Sequence, residues 1–515
     1  MWAQTPRPVR ELLRASQAAV LALQTELTQS HETVATLRAE LTQSQATLAT
    51  LPAVIAEFEV AKRQYQGQVL ALEGRIRELE SRLKTNSSNS SKPPSSDFGR
   101  SARTPKRPPS GKSPGGQPGH PGKHRPLLPP EEVDNVLEYH PKVCKKCGTA
   151  LCAEDALEDP RRQQIHELPV IKVKVTEYRF NRRRCKSCKF VTEATPPPEH
   201  PTNGSFGPRL QTEIALLTGR YRLSRREAKD YAEQAWGVEL SLGAIMSMER
   251  NLRRALDAPF EEVWSAVKAA SVRNIDETGW RQKNKRAWLW VAASKTGTAF
   301  KIAATRGRAV LIECFGNALE NGYIGTDRYS AYKLVPNKQR GICHAHLKRD
   351  FVKMQERDAS IGTEALAAQA KGLALYRAFE ESELNVEAFR ERLEPVKAEL
   401  EAVLERGLHS ADRKVPGMCR DILSHGSAIW NFADVPDLEP TNNSAERALR
   451  KGVLWRKSSF GTQSEHGSRF AERMLTVAET CRQNGHDLLA FMTAALLASM
   501  RGAPAPKLLQ PPAPS

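Results

Sequence analysis

The stretch 273–280, RNIDETGW, constrains this chain more than any other. It sets a carboxylate, Asp276, at the end of a short β-type run formed by Asn274 and Ile275. A second short run, Tyr323 and Ile324, leads through Gly325 and Thr326, where the backbone turns outward, to Asp327. A third acid, Glu446, has a different setting. Asn442, Asn443 and Ser444 are helix-start residues, which puts Glu446 in a first helical turn. Two acids on strands and one on a helix are suited to a pair of hard divalent cations. Mg²⁺, or Mn²⁺ in its place, takes oxygen ligands and leaves positions for water and a substrate phosphate. The residues alone also allow a plainer reading, in which Asp276 caps a turn, Asp327 opens a loop and Glu446 pairs with Arg450 on a helix surface.

At 515 residues the chain is too long for one core, and Lys plus Arg exceed Asp plus Glu by 77 to 59, for a net charge of +18. That surplus favours a polyanionic partner, nucleic acid above all. There is no run of 18 apolar residues and no charged-then-apolar leader pattern, so a cytoplasmic protein is expected. With nine cysteines, four of them in two CxxC pairs, metal ligation and reduced thiols are expected rather than disulfides.

Apolar residues recur at sevens from Val20 through Leu27, Val34, Leu41 and Leu48, with Leu23, Leu37 and Leu51 between them. This is a coiled-coil seam, and the sequence ELTQS recurs two heptads apart within it. Pro52 is expected to break the helix before a second seam from Phe58 to Leu83. The pattern fits a homodimer or higher homo-oligomer, and equally a hairpin folded back at Pro52. Beyond it, residues 84–130 hold nine Lys or Arg, eleven Pro and a single acid, Asp97. Such a composition reads as a disordered cationic arm for phosphates, or as a spacer.

Cys144 and Cys147, with Cys185 and Cys188, form two CxxC knuckles. Four thiolates satisfy tetrahedral Zn²⁺ completely, so the expected zinc is structural. The alternating run 170–180 between the pairs reads as strands of a ribbon. Arg182, Arg183, Arg184, Lys186 and Lys189 crowd the second knuckle and give it a phosphate-facing surface. Next, 206–217 reads as a helix. Ser224 and Ser241 cap two more around a turn at Gly237, a helix-turn-helix layout that offers Ser247, Arg250 and Arg253 to a DNA groove. A plain helical bundle bracing the next domain has the same pattern.

After Asp276 come two strands, 287–292 and 299–303, then a helix near 309–315 and the strand that bears Asp327. That order is the one expected of a ribonuclease-H-like fold. The 118 residues between Asp327 and Glu446 are largely helical in composition and read as an inserted subdomain. At this level the chain resembles the large transposase of the insertion-sequence 66 family. The coiled coil, SSNSSKPPSSD, GGQPGHPGKH, the two knuckles, DETGW, DRYSAY, CHAHLKRDF, NNSAERALRKG and RKSSFGT stand in that family's order.

The resemblance implies a DDE transposase, in which Asp276, Asp327 and Glu446 hold two Mg²⁺ (or Mn²⁺) ions on a ribonuclease-H-like core. It also marks His346 and Arg349, on one helical face, as site-lining. Asn442 and Asn443 are expected to cap and orient the Glu446 helix. Arg447, Arg450, Lys451, Arg456 and Lys457 give that helix a basic continuation toward DNA. The expected fold class is multidomain α/β: a coiled coil over 8–84, a disordered basic linker over 85–130, a zinc-ribbon-like module over 131–195 and a helical DNA-binding domain over 205–262. The catalytic core follows over 268–465 with a helical insertion at about 352–430, then C-terminal helices over 466–501 and a disordered tail over 502–515. Implied partners are transposon ends, target DNA and accessory transposition proteins, in a bacterial cytoplasm and on the nucleoid when bound. Two rivals stand beside this reading, a zinc-containing DNA-binding regulator without catalysis and a nuclease that cuts without joining.

Overall fold

The computed structural model describes residues 3, 6–84, 125–155, 157, 161–197, 200 and 204–509. Most of the expected basic linker, 85–124, and the last residues of the expected tail, 510–515, lie outside them. The chain divides into two units, Met1–Thr85 and Asn86–Ser515. The first is a single helix, α1 (Arg7–Lys84), and it runs through Pro52 unbroken, against the expectation of a break there. Proline costs an interior helix its bond to the carbonyl four residues back, here that of Leu48. Leu48 is 65% exposed, so that carbonyl lies on the water-facing surface and needs no protein partner.

In the second unit, the first described residues are already anchored. Leu128 exchanges backbone hydrogen bonds with the Gln164 side chain, its N–H donating at 2.8 Å and its carbonyl accepting at 2.9 Å, so the segment from Arg125 onward is not a free arm. The two CxxC loops close identically. Cys144 N–H donates to Thr149 O and Gly148 N–H to Cys144 O, as Cys185 N–H does to Phe190 O and Lys189 N–H to Cys185 O. Gly148 and Lys189 take the positive φ that each turn requires, 75° and 62°. Antiparallel pairing flanks both tips, Val143 with Ala150 at the first and β1 (Arg182–Arg184) with β2 (Val191–Glu193) at the second. Residues 170–180 form no ladder, against the alternation that predicts strands; Val170 and Val175 are each 88% exposed, so no sheet or core holds their apolar side.

Three helices follow, α2 (Pro208–Gly219), α3 (Arg225–Trp236) and α4 (Leu242–Ala255). Ser224 and Glu227 form a reciprocal capping box on α3, Gly237 ends it at φ 67°, and Ser241 accepts from Ala244 N–H to start α4. They share a small core of Ile214, Ala232, Leu240, Ile245 and Met248. Leu216, Leu252 and Leu256, however, belong to the large central core, which makes these helices a buttress of the next domain rather than a separate body.

That domain is built on a five-stranded mixed sheet in the order β5-β4-β3-β6-β7. The strands are β3 (Val272–Gln282), β4 (Lys285–Ala293), β5 (Thr298–Ala303), β6 (Tyr323–Thr326) and β7 (Arg340–Ile342). The first three in chain order form an antiparallel meander, and β6 and β7 add in parallel. β4 is apolar on both faces, which suits a strand covered on both sides. Helices α5 (Asp257–Ala269), α11 (Asn443–Ser459) and α12 (Glu465–Asn484) pack on the sheet. Gly452 lets α11 approach, since a Cβ there would run into the Leu289 side chain.

The outer edge of β5 is closed by side chains of α12. The N–H groups of Thr298, Phe300 and Ile302 donate to Thr480 Oγ1 (3.2 Å), Thr476 Oγ1 (3.0 Å) and the Glu472 carboxylate (2.8 Å). Two strand residues advance about 6.6 Å and four helical residues about 6 Å, so one turn of α12 keeps step with each exposed N–H. An edge that would otherwise recruit another strand is thereby satisfied.

Between β6 and α11 the chain crosses the sheet's last strand and then builds a second core. Helix α6 (Arg308–Phe315) precedes β6, and α7 (His344–Gln355), α8 (Ala359–Glu380), α9 (Val386–Gly407) and α10 (Val415–Leu423) follow β7. Phe351, Phe389, Leu393, Leu404 and Phe432 centre their core. Helix α13 (Leu488–Met500) joins the central core, and so does the segment after it. Leu508 is fully buried, and the N–H groups of Leu508 and Leu509 donate to the Glu262 carboxylate, so the chain beyond Gly502 docks where fraying was expected. Leu508→Ala is expected to cost about 2–4 kcal/mol in urea unfolding; an unshifted midpoint would mean that this segment contributes nothing to the fold.

Candidate active site

The sheet opens where β6 stops. β3 pairs with β6 only through Val272–Tyr323, Arg273–Ile324 and Asn274–Gly325, while its antiparallel ladder with β4 runs on to Gln282. Asp276 therefore lies inside a long strand rather than at a strand's end, as the sequence reading had it, and its freedom comes from the shorter neighbour. The same parallel register carried two residues further sets Asp276 level with Asp327. The carboxyl ends of parallel strands are where open α/β sheets bind ligands.

Glu446 reaches this place from α11, which Asn442 bolts to β3. The buried Asn442 side chain donates to Ile275 O at 2.9 Å, and Asn274 returns a bond to Thr441 O at 3.3 Å. Asn442 thus makes no side-chain cap, contrary to expectation, because its amide is spent across the sheet; Asn443 is exposed at the first helical position. Asp276 feels the charges of Asp327 and Glu446, and burial followed by the Glu277, Asp327 and Glu446 charges holds its carboxyl well above the usual range. His346, from the first turn of α7, sets Nδ1 3.7 Å from Glu446 Oε1. Ligand atoms of Cys343, His346 and Glu446 lie within 4.8 Å of one another, the one such group among the described residues. Neither the three acids nor the four knuckle cysteines gather so tightly, and within each knuckle the two sulfurs are hydrogen-bond neighbours.

Three buried polar atoms at this place lack a hydrogen-bond partner: Asn442 Oδ1, Glu446 Oε1 and His346 Nδ1. Buried polar atoms are normally paired, so these three leave hydrogen-bonding capacity unused beside the carboxylates. His346 is consequently not a satisfied helix histidine; burial pushes its imidazole below the ordinary value, with Asp327 and Glu446 opposing. Arg349 is half-buried and close enough for its charge to act on His346.

A fourth acid went unread in the sequence. Glu277 has a side chain without solvent exposure, held by Arg306 Nε at 2.5 Å and by the Tyr332 hydroxyl, which donates to it. Arg306 stacks on Tyr329 and Trp288, with Nη2 4.0 Å from Asp327 Oδ2. Alternation along β3 separates Glu277 from Asp276, which is why the pattern gave it no role; the carboxylate's position next to Asp276 in DETGW was the one available signal.

Of the expected DNA-contacting residues, Arg250, Arg447, Arg450 and Lys457 are exposed, and Lys451 is half-buried. Two others are occupied. Arg253 is 18% exposed and faces Asp257 at 3.8 Å, because α4 turns that side toward α5 and the core. Arg456 donates to Gly279 O and lies 3.4 Å from Thr278 Oγ1, fastening α11 to β3. Exchanging Arg306 for Met would strand the Glu277 carboxylate, and a loss of about 3 kcal/mol is expected in chemical unfolding. Adding Glu277→Gln should recover most of it; a double variant no more stable than the single would disprove the pairing.

The transposase IS66 family matches residues 203–470, which hold the whole sheet, the three acids and His346. Residues 25–126 match a family of unknown function, DUF6444. Among curated proteins, the chain is similar to two uncharacterized proteins of Sinorhizobium fredii. y4qI is 26% identical over 418 residues, 73% of this chain and 74% of that protein. y4hP is 26% identical over 423 residues, 74% of each. With the family's match covering more than half of its length and enclosing the site just described, the chain belongs to the IS66 family of transposases.

Proposed function

We propose that this transposase is a DDE enzyme that cuts DNA at transposon ends and joins the freed 3′ ends to target DNA, on a ribonuclease-H-like core. The observation that carries the reading is the register that sets Asp276 beside Asp327, with Glu446 brought in by the Asn442 bolt. A meander of three antiparallel strands followed by two parallel ones supports the fold assignment. Asp276, Asp327 and Glu446 would hold two Mg²⁺ or Mn²⁺ ions, with His346 beside Glu446; bound there, the ions supply an activated water and a counter-charge for the leaving 3′ oxygen. The chain's own part is to hold three mutually repelling carboxylates at fixed positions. Asn442 fixes the α11 end, the Tyr329 N–H donates to Asp327 Oδ1 at 2.8 Å, and the Glu277 N–H donates to Asp276 Oδ1 at 2.8 Å. Arg306 balances Glu277 and lies 4.0 Å from Asp327 Oδ2.

The two knuckles have matching hydrogen bonds and matching positive-φ turns, and the hydroxyl of Thr149 draws the Cys147 thiol down to about 7, toward the thiolate that zinc requires. We read Cys144, Cys147, Cys185 and Cys188 as the ligands of one structural Zn²⁺. Leu27, Leu41 and Leu48 of α1 are 57%, 59% and 65% exposed, and a second copy of this helix is the partner that the heptads fit. No helix among the described residues is long and apolar enough to cross a membrane.

Asp276→Asn, Asp327→Asn and Glu446→Gln should each lower Mg²⁺-dependent cleavage of a transposon-end duplex about a thousandfold or more, with binding unchanged. Cleavage that survives any one of them removes that acid from the site, and cleavage absent from the wild type at every Mg²⁺ or Mn²⁺ concentration favours the regulator. Joining of pre-cut ends separates a transposase from a plain nuclease. Elemental analysis should find about one zinc per chain, lost on Cys185→Ser; a variant that keeps its full zinc content would rule out the four-thiolate site.

A further inference from the structure

The loop after α11 holds a large apolar ring in an unfavourable backbone conformation on the surface. Phe460 is 75% exposed at φ 57°, ψ 16°, a left-handed position where helices usually end on glycine or asparagine. A bulky residue there is an outlier, and such outliers persist where the surroundings over-determine them. Here they do. Gly461, at φ 106°, lies so close to Arg281 that a Cβ would meet its backbone. Thr462 N–H donates to Arg281 O at 2.9 Å, Lys283 N–H donates to Thr462 O at 2.8 Å, and Trp280 Nε1 donates to Thr462 Oγ1 at 3.2 Å. The ring is clamped to β3 by its neighbours while the ring itself faces water.

The clamp partner is the β3–β4 hairpin, whose turn is cationic. Arg281, Lys283, Lys285 and Arg286 are all exposed, and none has an ion-pair partner among the described residues. Arg281, Asn284, Arg286 and Arg456 line a cleft of about 500 Å³ against the backbone of Gly279 and Trp280. Arg286 stacks over Trp288 at 4.9 Å, and Arg456 is bonded to Gly279 O. Cations beside an exposed aromatic ring on a neighbouring loop are the combination by which proteins hold single-stranded nucleic acid, the cations following phosphates and the ring stacking on a base. The location fits one occupant. From Asp276 to Arg281 the strand advances about 17 Å, roughly five nucleotides at about 3.4 Å per phosphate along one stacked strand.

We propose that Phe460 is a stacking post for an unpaired base of the DNA strand that leads into the three-acid site, with the hairpin cations on that strand's phosphates. The inference rests on the DNA-cutting reading above and adds a strand-holding site outside the acids.

The test uses the full chain in chelator, so that nothing is cut, with a twelve-residue oligothymidylate carrying one 2-aminopurine. Binding should change the 2-aminopurine emission. Phe460→Trp should keep that change, while Phe460→Leu and Phe460→Gly should abolish it and weaken binding about tenfold. Phe460→Gly should also raise the melting temperature, because glycine accepts the left-handed backbone without strain. Lys283→Ala and Arg286→Ala should each reduce the slope of log affinity against log salt by about 0.7. Normal binding by Phe460→Gly, or a lowered melting temperature, overturns the stacking post, and in an enzyme that still cuts transposon ends it does so without touching the function. A wild type that neither binds the oligonucleotide nor cuts DNA overturns both.

Discussion

A single amide, that of Asn442, joins parts of the chain that sequence holds far apart. It reaches from the start of α11 to Ile275 O on β3, and its own N–H lies 3.3 Å from Cys343 Sγ at the start of α7. One side chain and its backbone thus locate the strand that carries Asp276, the helix that carries Glu446 and the helix that carries His346. Without such a junction the acids would separate, since burial and like charge both oppose gathering them. Buried polar bonds of this kind are costly when half-made, which makes the arrangement all-or-none. The same junction leaves Asn442 Oδ1 buried and without a partner at the start of the helix that carries Glu446.

Rigidity on the opposite side of the sheet comes from α12. Its buried Glu472, Thr476 and Thr480 replace a missing sixth strand along β5, and Arg469 and Arg473 in turn cover the Glu472 carboxylate, at 2.9 and 2.7 Å. Arg473 also reaches Asp257 at the start of α5 at 2.8 Å, so the helices before the sheet are tied to the helix after it. The tri-helical segment shares that core, and its exposed residues are therefore carried at a fixed position relative to the acids. Arg250, exposed on α4, keeps its place relative to the sheet for that reason.

Much of this architecture is legible in the sequence because it is local. The capping box of Ser224 and Glu227, the left-handed Gly237 and the Ser294–Gly297 turn are each written in a few neighbouring residues. The antiparallel strands are legible for the same reason, as apolar runs with a turn between them. What escaped depends on long-range pairing. The length of β3 is set by β4, beyond what its own residues suggest, and the Glu277–Arg306–Tyr332 cluster unites residues up to 55 positions apart. The run 170–180 misled for the opposite reason: alternation describes a strand only when a neighbour completes the ladder, and none does here. Pro52 misled because the breaking rule supposes a carbonyl left without solvent, whereas α1 is exposed along its length.

Several of the chain's cations are spent on the fold itself. Of the chain's basic surplus, Arg306, Arg456 and Arg253 are turned inward on Glu277, on Gly279 O and toward Asp257, so their charge serves the fold. Cations facing water on elements that carry an acid include those of the β3–β4 hairpin and the outer face of α11, Arg447, Arg450 and Lys457. Both lie on elements that also carry an acid, β3 bearing Asp276 and α11 bearing Glu446. If the acids act on DNA as proposed, a phosphate backbone drawn to either would meet a carboxylate that repels it unaided, and a divalent cation between them would reconcile the two charges. On the proposed reading, metal and DNA would be interdependent at this site: each would lower the electrostatic cost of the other, which is the coupling that a phosphoryl-transfer site needs before chemistry begins.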